Sequence, residues 1–359
     1  MRVVFRVDSS TQIGAGHLIR CLALAEDMLE RKMSVSFICR NLPGNSIKFL
    51  RAKKIPVILL SSSIISPKKS SNKYFEKPFL LQKEDALETI SALNNLRPDW
   101  LIVDHYEIDI VWEQIMRSYC SHLMVIDDRV TRQHDCDILL NQNNTLTDYK
   151  SYKNLVPLAC RVLLGPSFAL LRKEFQILRQ KKIIKNEFLQ RFLVFFTAGN
   201  DQGETLKAMN GLAIFSKAKQ VNIVIGKENP DIIAIKSMCS LQKWGLHCQI
   251  DYMPKLIAEA DFVIGSGGSS NWERCALGVP ALIVILAENQ VNIAKTLVAS
   301  GAVINLGWNA NLQAIDYAKS LNAITARQII SMAEKAYQLV DAKGAERVVE
   351  MLADKENTK

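Results

Sequence analysis

Apolar runs of strand length alternate with amphipathic stretches of helical length along most of the chain. Val3-Val4-Phe5-Arg6-Val7 is apolar enough for a buried strand, and residues 18–30 follow as a helix. Further strand-like runs fall near residues 35–39, 56–60, 100–103 and 123–126, with a helix expected over 84–96. Residues 61–78 are rich in Ser and Lys with little periodicity, and read as a mobile loop; Lys68, Lys69 or Lys73 could be carried by it toward an anionic ligand. A long charged helix is predicted over 170–180, after Gly165-Pro166. A second strand–helix series then restarts at Phe192-Leu193-Val194-Phe195-Phe196, and residues 325–353 read as one long amphipathic helical stretch.

Two successive series of this kind predict an α/β chain of two Rossmann-like domains facing across a cleft. The junction falls near residues 165–190. This gives domains at 1–175 and 176–335, with a C-terminal helix and tail at 336–359 able to pack back on the first domain.

A chain of 359 residues suits two domains, and its 48% apolar and 23% charged content is that of a globular protein. The longest apolar stretch, residues 279–287, is only strand length and contains Pro280, so no membrane span is expected. The early residues carry no apolar signal core. Eight scattered cysteines with no C-x-x-C pair fit free thiols in a reducing cytoplasm. The net charge of +9 is spread along the chain rather than gathered with aromatics, which argues against a nucleic-acid partner.

The ends of predicted strands hold the candidate chemistry. After the first strand, a polar loop runs through Gly14-Ala15-Gly16 to His17 at the start of a helix, where α/β proteins bind ligands. A dinucleotide fingerprint needs a third small residue for close helix–strand packing, and that position is Ile19. No acidic residue ends the next strand either, since it closes on Arg40. The remaining readings of His17 are a helix cap or a group aimed at a ligand. Asp8, Asp104, His105, Tyr106, Asp127 and Asp128 also lie at or just after strand ends; of adjacent pairs, at most one side chain is expected to face the ligand side. His134-Asp135-Cys136-Asp137 has a metal-like composition without convincing ligand spacing, so no metal is expected.

In the second half, Asp261-Phe262-Val263-Ile264 reads as a strand, Gly265-Ser266-Gly267-Gly268-Ser269-Ser270 as a loop of bare amides, and Asn271 as the start of a helix. Such a loop favours a phosphate, and it lacks the Lys-Ser/Thr ending of an ATP-hydrolysing loop. Glu273 follows it, either as a capping charge or as an acceptor for sugar hydroxyls. Gly199 and the Ala287-Glu288-Asn289-Gln290 segment lie at neighbouring strand ends, so Gly199, Asn289 and Gln290 complete a polar floor suited to a nucleotide diphosphate.

Taken together, these motifs resemble the pseudaminic acid pathway nucleotide-sugar hydrolases. The resemblance rests on Arg6-Val7-Asp8-Ser9-Ser10, Ile13-Gly14-Ala15-Gly16-His17-Leu18-Ile19-Arg20-Cys21, Asp104-His105-Tyr106 and Ile126-Asp127-Asp128. It continues through Leu164-Gly165-Pro166, Gly267-Gly268-Ser269-Ser270-Asn271-Trp272-Glu273-Arg274-Cys275, Gly278-Val279-Pro280 and Ala287-Glu288-Asn289-Gln290, covering residues 1 to about 305. One departure is Ala198-Gly199-Asn200-Asp201, where the family usually reads Gly-Gly-Ser/Thr-Asp.

The resemblance implies a glycosyltransferase type B fold. It also implies hydrolysis of UDP-2,4-diacetamido-2,4,6-trideoxy-β-L-altropyranose to UDP and the free sugar, with inversion and with neither metal nor cofactor. His17 would then be the base toward water, with Gly14 and Gly16 letting the sugar come close, and Asp8 and Tyr106 positioning the sugar or orienting the histidine. Gly199, Gly267, Gly268, Ser269, Asn289 and Gln290 would lie near the phosphates, Glu273 on the ribose, and the Tyr252-Met253 backbone, expected at a strand end, on uracil. The alternatives are a UDP-sugar-dependent glycosyltransferase of the same fold and a nucleotide-sugar-binding protein without turnover.

Overall fold

The computed structural model describes residues 1–11, 13–61, 79–143, 149–181 and 189–356, and these fall into two compact units. The first comprises residues 1–172 together with the segment from 344 onward. Its elements in chain order are β1 (Arg2–Val7), α1 (Gly16–Glu30), β2 (Ser34–Arg40), α2 (Lys48–Ala52), β3 (Val57–Leu60), α3 (Phe79–Leu93), β4 (Trp100–Asp104), α4 (Ile110–Met116), β5 (His122–Ile126), β6 (Ile138–Asn141) and β7 (Arg161–Leu164). Among the described residues these strands form a seven-stranded sheet in the order β3-β2-β1-β4-β5-β6-β7, with every pairing parallel.

The second unit spans residues 173–343. It runs through α5 (Lys173–Lys181), β8 (Arg191–Phe195), α6 (Glu204–Phe215), β9 (Gln220–Ile225), α7 (Ile232–Gln242), β10 (Gly245–Cys248), α8 (Met253–Glu259), β11 (Phe262–Ser266), α9 (Ser270–Ala276), β12 (Ala281–Ile285), α10 (Val291–Ser300), β13 (Val303–Trp308), α11 (Ala314–Ala323) and α12 (Ala326–Leu339). Among the described residues its strands form a six-stranded sheet, again all parallel, in the order β10-β9-β8-β11-β12-β13. The two-sheet α/β architecture expected from the strand–helix alternation is therefore present. Central parallel strands are covered on both faces, so β4, β11 and β12 are buried at every position and read as apolar runs, interrupted only at their ends by Asp104 in β4 and by Gly265-Ser266 in β11.

Several boundaries differ from the expected ones for local reasons. The helix expected over 84–96 is α3 and ends at Leu93, because Asn94 and Asn95 both turn to positive φ. The 170–180 helix begins only at Lys173, after a single 3-10 turn at Pro166–Phe168. The 325–353 stretch is two helices, α12 and α13 (Gly344–Glu356), separated where Ala342 takes a φ of 62°. α13 belongs to the first unit, where Ala345, Val348, Val349 and Leu352 join the core formed with Leu18, Leu22 and Ala25 of α1. A Cβ on Gly344 would come within 2.3 Å of the Ala169 carbonyl oxygen, so the return of the chain is seated on a position only glycine fits. Apart from Ser61, the Ser/Lys-rich 61–78 segment with Lys68, Lys69 and Lys73 lies outside the described residues.

A buried ion cluster fixes α3 to the first sheet. Arg6, inside β1, meets Asp8 at 2.5 Å and Asp85 of α3 at 2.7 Å, and Arg40 at the end of β2 meets Asp85 at 2.5 Å. Burial opposes the charge on Asp85, but Arg6 and Arg40 outweigh it and hold that carboxyl well below the usual range. A charge in such a strand is tolerated only when paired in this way.

Candidate functional site

In the first unit the strand order reverses between β1 and β4, the position where open parallel sheets bind ligands at their carboxyl ends. The β1–α1 loop and the end of β4 meet there. His17 lies in the first turn of α1 and is mostly buried. The N-cap is Ala15, which offers no side-chain cap, so His17 is not the cap of this helix. Its Nδ1 lies 2.5 Å from Asp104 Oδ1, at the end of β4. Arg20, one helical turn on, grips the same carboxylate with Nε at 2.5 Å from Oδ2 and Nη2 at 2.6 Å from Oδ1. Burial would push the Asp104 carboxyl up; Arg20 and His17 outweigh it and hold it well below the usual carboxylate range.

An ionised carboxylate only accepts, so Nδ1 carries the proton it donates to Asp104, and the lone pair falls on Nε2. Among the described residues Nε2 has no hydrogen-bond partner. This is the geometry of an oriented base: a carboxylate fixes ring and tautomer, and the opposite nitrogen is left to take a proton. Tyr106 packs edge-on against the His17 ring, with centroids 4.5 Å apart. Its hydroxyl donates to Asp128 Oδ1 at 2.7 Å, and Asn143 Nδ2 donates to Asp128 Oδ2 at 2.8 Å. Burial, reinforced by Asp128, pushes the Tyr106 phenol well up, so it stays protonated.

The adjacent strand-end residues divide between two surroundings, as strand alternation requires. Asp104 and Tyr106 go to His17, while His105 turns to Asp8, with Nε2 at 3.0 Å from Oδ2. Likewise Asp128 faces Tyr106, while Asp127 bonds Arg132 and His134. Asp8, expected near the sugar, lies within the ion cluster of the first sheet. Its two oxygens receive Arg6 twice, the Arg40 amide and His105, and it is buried. Gly14 and Gly16 do border open space: a Cβ at either would meet no other atom within 4 Å. Arg20 and Asn143 were not singled out by sequence as site groups, and Asp104 and Asp128 only as two of several strand-end acids.

His134 is held by two carboxylates, with Nδ1 2.7 Å from Glu113 and Nε2 3.0 Å from Asp127. Burial opposes its charge, but Glu113 and Asp127 outweigh it and lift its pKa to about 9. Among the described residues no group of His, Cys, Asp and Glu is arranged to hold a metal ion.

The second sheet reverses its order between β8 and β11. The loop bearing Gly199 follows β8 and the Gly267-Gly268-Ser269 loop follows β11, so the reversal brings these two predicted segments side by side. β11 runs to Ser266, two residues beyond the expected end, and the helix starts at Ser270, which shortens the loop to 267–269. Gly265 is thus a strand residue, needed because a Cβ there would sit 2.3 Å from the Phe195 carbonyl oxygen. Asn271 Nδ2 donates to the carbonyls of Ser266 and Gly268 at 2.8 and 2.7 Å, drawing those oxygens inward.

Gln290 borders the loop: a Cβ at Gly267 would come 3.5 Å from Gln290 Cβ, and its Oε1 accepts from the Leu286 amide at 3.0 Å. Asn289 is exposed on the 3-10 turn Glu288–Gln290. Met253 is the first residue of α8, with Tyr252 its N-cap, so this segment opens a helix rather than ending a strand. Met253 and Glu273 nevertheless line one cavity, together with Ser266 and Ser270.

Residues 194–348 match the glycosyltransferase family 28 C-terminal domain. Over its whole length the chain superposes on MurG of Acinetobacter baumannii with a TM-score of 0.67 and 14% identity, covering 98% of this chain and 99% of that one. The chain has the glycosyltransferase type B fold. This type B chain also superposes on the UDP-GlcNAc 2-epimerase of Neisseria meningitidis, with a TM-score of 0.60, 13% identity, and 99% and 100% of the two chains covered. In sequence it is 29% identical over 304 residues to the UDP-2,4-diacetamido-2,4,6-trideoxy-beta-L-altropyranose hydrolase of Campylobacter jejuni, covering 84% of this chain and 97% of that protein. The resemblance carried by the sequence motifs is therefore present over most of the chain. Among the described residues no helix is long and apolar enough to cross a membrane.

Proposed function

We propose that this protein hydrolyses a UDP-linked sugar, and that the sugar is 2,4-diacetamido-2,4,6-trideoxy-β-L-altropyranose. The observation that carries the reaction is the His17–Asp104 pair, which leaves Nε2 as a proton acceptor at the sheet's reversal point. The similarity to the C. jejuni hydrolase supports the choice of sugar.

In this reading water attacks the anomeric carbon as its proton passes to His17 Nε2. The bond from that carbon to the β-phosphate oxygen breaks, UDP departs with the electron pair, and the configuration inverts. UDP is a good leaving group, so the departing charge needs stabilisation rather than a strong acid, and the 267–269 loop supplies it. Tyr106, Gly14 and Gly16 border the sugar. Glu273 holds the ribose, Met253 the uracil side, and Gly199, Asn289 and Gln290 complete the phosphate surroundings. Asp8 supports the sheet from within its ion cluster.

An NMR product assay with several UDP-diacetamido sugars, purified protein and no acceptor tests the proposal. UDP and the inverted free sugar from the altrose derivative are the expected products. UDP release only with an added acceptor indicates a glycosyltransferase, an isomerised UDP-sugar an epimerase, and binding without product a non-catalytic protein; each overturns hydrolysis. His17→Ala should abolish turnover and leave UDP affinity within about twofold, and near-normal turnover would remove His17 from the mechanism.

A further inference from the structure

Arg274, on α9, is 2% exposed. Its Nε donates to Asn271 Oδ1 at 2.6 Å and its Nη1 to the Val279 carbonyl at 2.9 Å. Among the described residues the buried Nη2 donates to nothing and no carboxylate pairs with this guanidinium. Burial alone lowers its pKa, with only the neighbouring Cys275 opposing. Every other buried arginine described above, Arg6, Arg20, Arg40 and Arg132, is matched by an aspartate.

An isolated buried cation is costly, because no opposite charge repays its desolvation. Arg274 lines the same cavity as Gly265, Ser266, Ser270, Asn271 and Glu273. Through Asn271 it is joined to the loop itself, because the Asn271 oxygen accepts from Arg274 while its nitrogen donates to the Ser266 and Gly268 carbonyls. That arrangement orients the loop and sets an uncompensated positive charge behind it.

We propose that Arg274 is the counter-charge for the diphosphate of the bound nucleotide, a positioning residue that acts on the anion directly through its field and through Asn271 on the loop. The proposal rests on the nucleotide-site reading above and adds the residue that selects a charged nucleotide over a neutral nucleoside. A purely structural role predicts instead that loss of Arg274 harms the fold and affects both ligands alike.

Calorimetric titration of the full chain with UDP and with uridine, alongside thermal melting, separates these cases. Arg274→Met should weaken UDP binding at least tenfold and leave uridine binding unchanged, whatever Tm it loses with its two hydrogen bonds. Arg274→Lys, which keeps the charge, should restore most of the UDP affinity. Should the Met variant not fold, Arg274→Gln, neutral but polar, is read in the same way. Unchanged UDP affinity, or equal losses for UDP and uridine, overturns the role of Arg274 while leaving the nucleotide site standing. If the unaltered protein binds neither ligand, the nucleotide-site reading itself fails, and this proposal falls with it.

Discussion

His17 Nδ1 lies 2.5 Å from Asp104 Oδ1, joining the loop after β1 to the end of β4 where the first sheet reverses its order. The carboxylate is shared with Arg20, so one acid fixes the imidazole while a guanidinium fixes the acid. Asp104→Asn keeps the shape but presents an amide that no longer demands the proton on Nδ1. Turnover should fall by about 10²–10⁴, as when an orienting acid is neutralised in other histidine-based sites. UDP affinity, measured separately, should stay within about twofold. Near-normal turnover in this variant would show that the pair does not orient the base.

Asp8 is expected to act on stability rather than on substrate. Asp8→Asn leaves Arg6 short of one of its two buried acids, and breaking such a pair costs about 3–5 kcal/mol. Denaturant unfolding should show a loss of that order, with KM unchanged wherever the variant is folded. A fully stable variant with a selectively raised KM would return Asp8 to the sugar site.

The His134 pair predicts a loss of stability in mild alkali. Glu113 and Asp127 raise its folded pKa to about 9, above the ordinary value of about 6.5. Its contribution is therefore complete below about pH 6.5 and disappears as pH rises through about 9, amounting at most to something on the order of 3 kcal/mol. Unfolding free energies measured from pH 6 to 10 should fall across that window. In His134→Gln the overall stability is lower and that slope is absent; an identical slope in the variant would assign the effect to other groups.

Glu273 lines the cavity with Met253, and its proposed ribose contact can be read with a pair of ligands. Glu273→Ala should weaken UDP about tenfold, the value of one charge-assisted hydrogen bond. It should barely change the already weaker binding of 2′-deoxy-UDP. Equal losses for both ligands would place the carboxylate away from the 2′-hydroxyl.

Much of the fold is legible because the buried parallel strands are continuous apolar runs, as in Trp100-Leu101-Ile102-Val103 and Ala281-Leu282-Ile283-Val284-Ile285. Helix ends are less so. The turn at Ala342 puts left-handed backbone on a residue that seldom adopts it, and no pattern announces it, whereas Asn94-Asn95 with Pro98 beyond is a stop signal that the expected helix overran. At the site, sequence locates His17 and the glycine loop but not the partner of His17. Asp104 stands 87 positions away, and their meeting depends on β4 lying beside β1, a matter of strand order rather than of spacing. The true surroundings of Asp8 did have a signal: Arg6 interrupts an otherwise apolar strand, and an arginine there requires a nearby acid.

The helix that begins at Gly344 has a consequence for how this chain is made and dissected. Its apolar face completes the core under α1, the helix that carries His17, yet it is encoded after the whole of the second unit. The part of the protein synthesised first is thus among the last to be finished. During synthesis the inner face of α1 must wait, partly uncovered, until residues 344–352 have emerged. A fragment cut at the apparent boundary after Arg172 would carry His17 and Asp104 but lack one wall of their support. An isolated first unit would have to be built as a permuted or two-piece protein, with the 344–356 helix supplied beside α1.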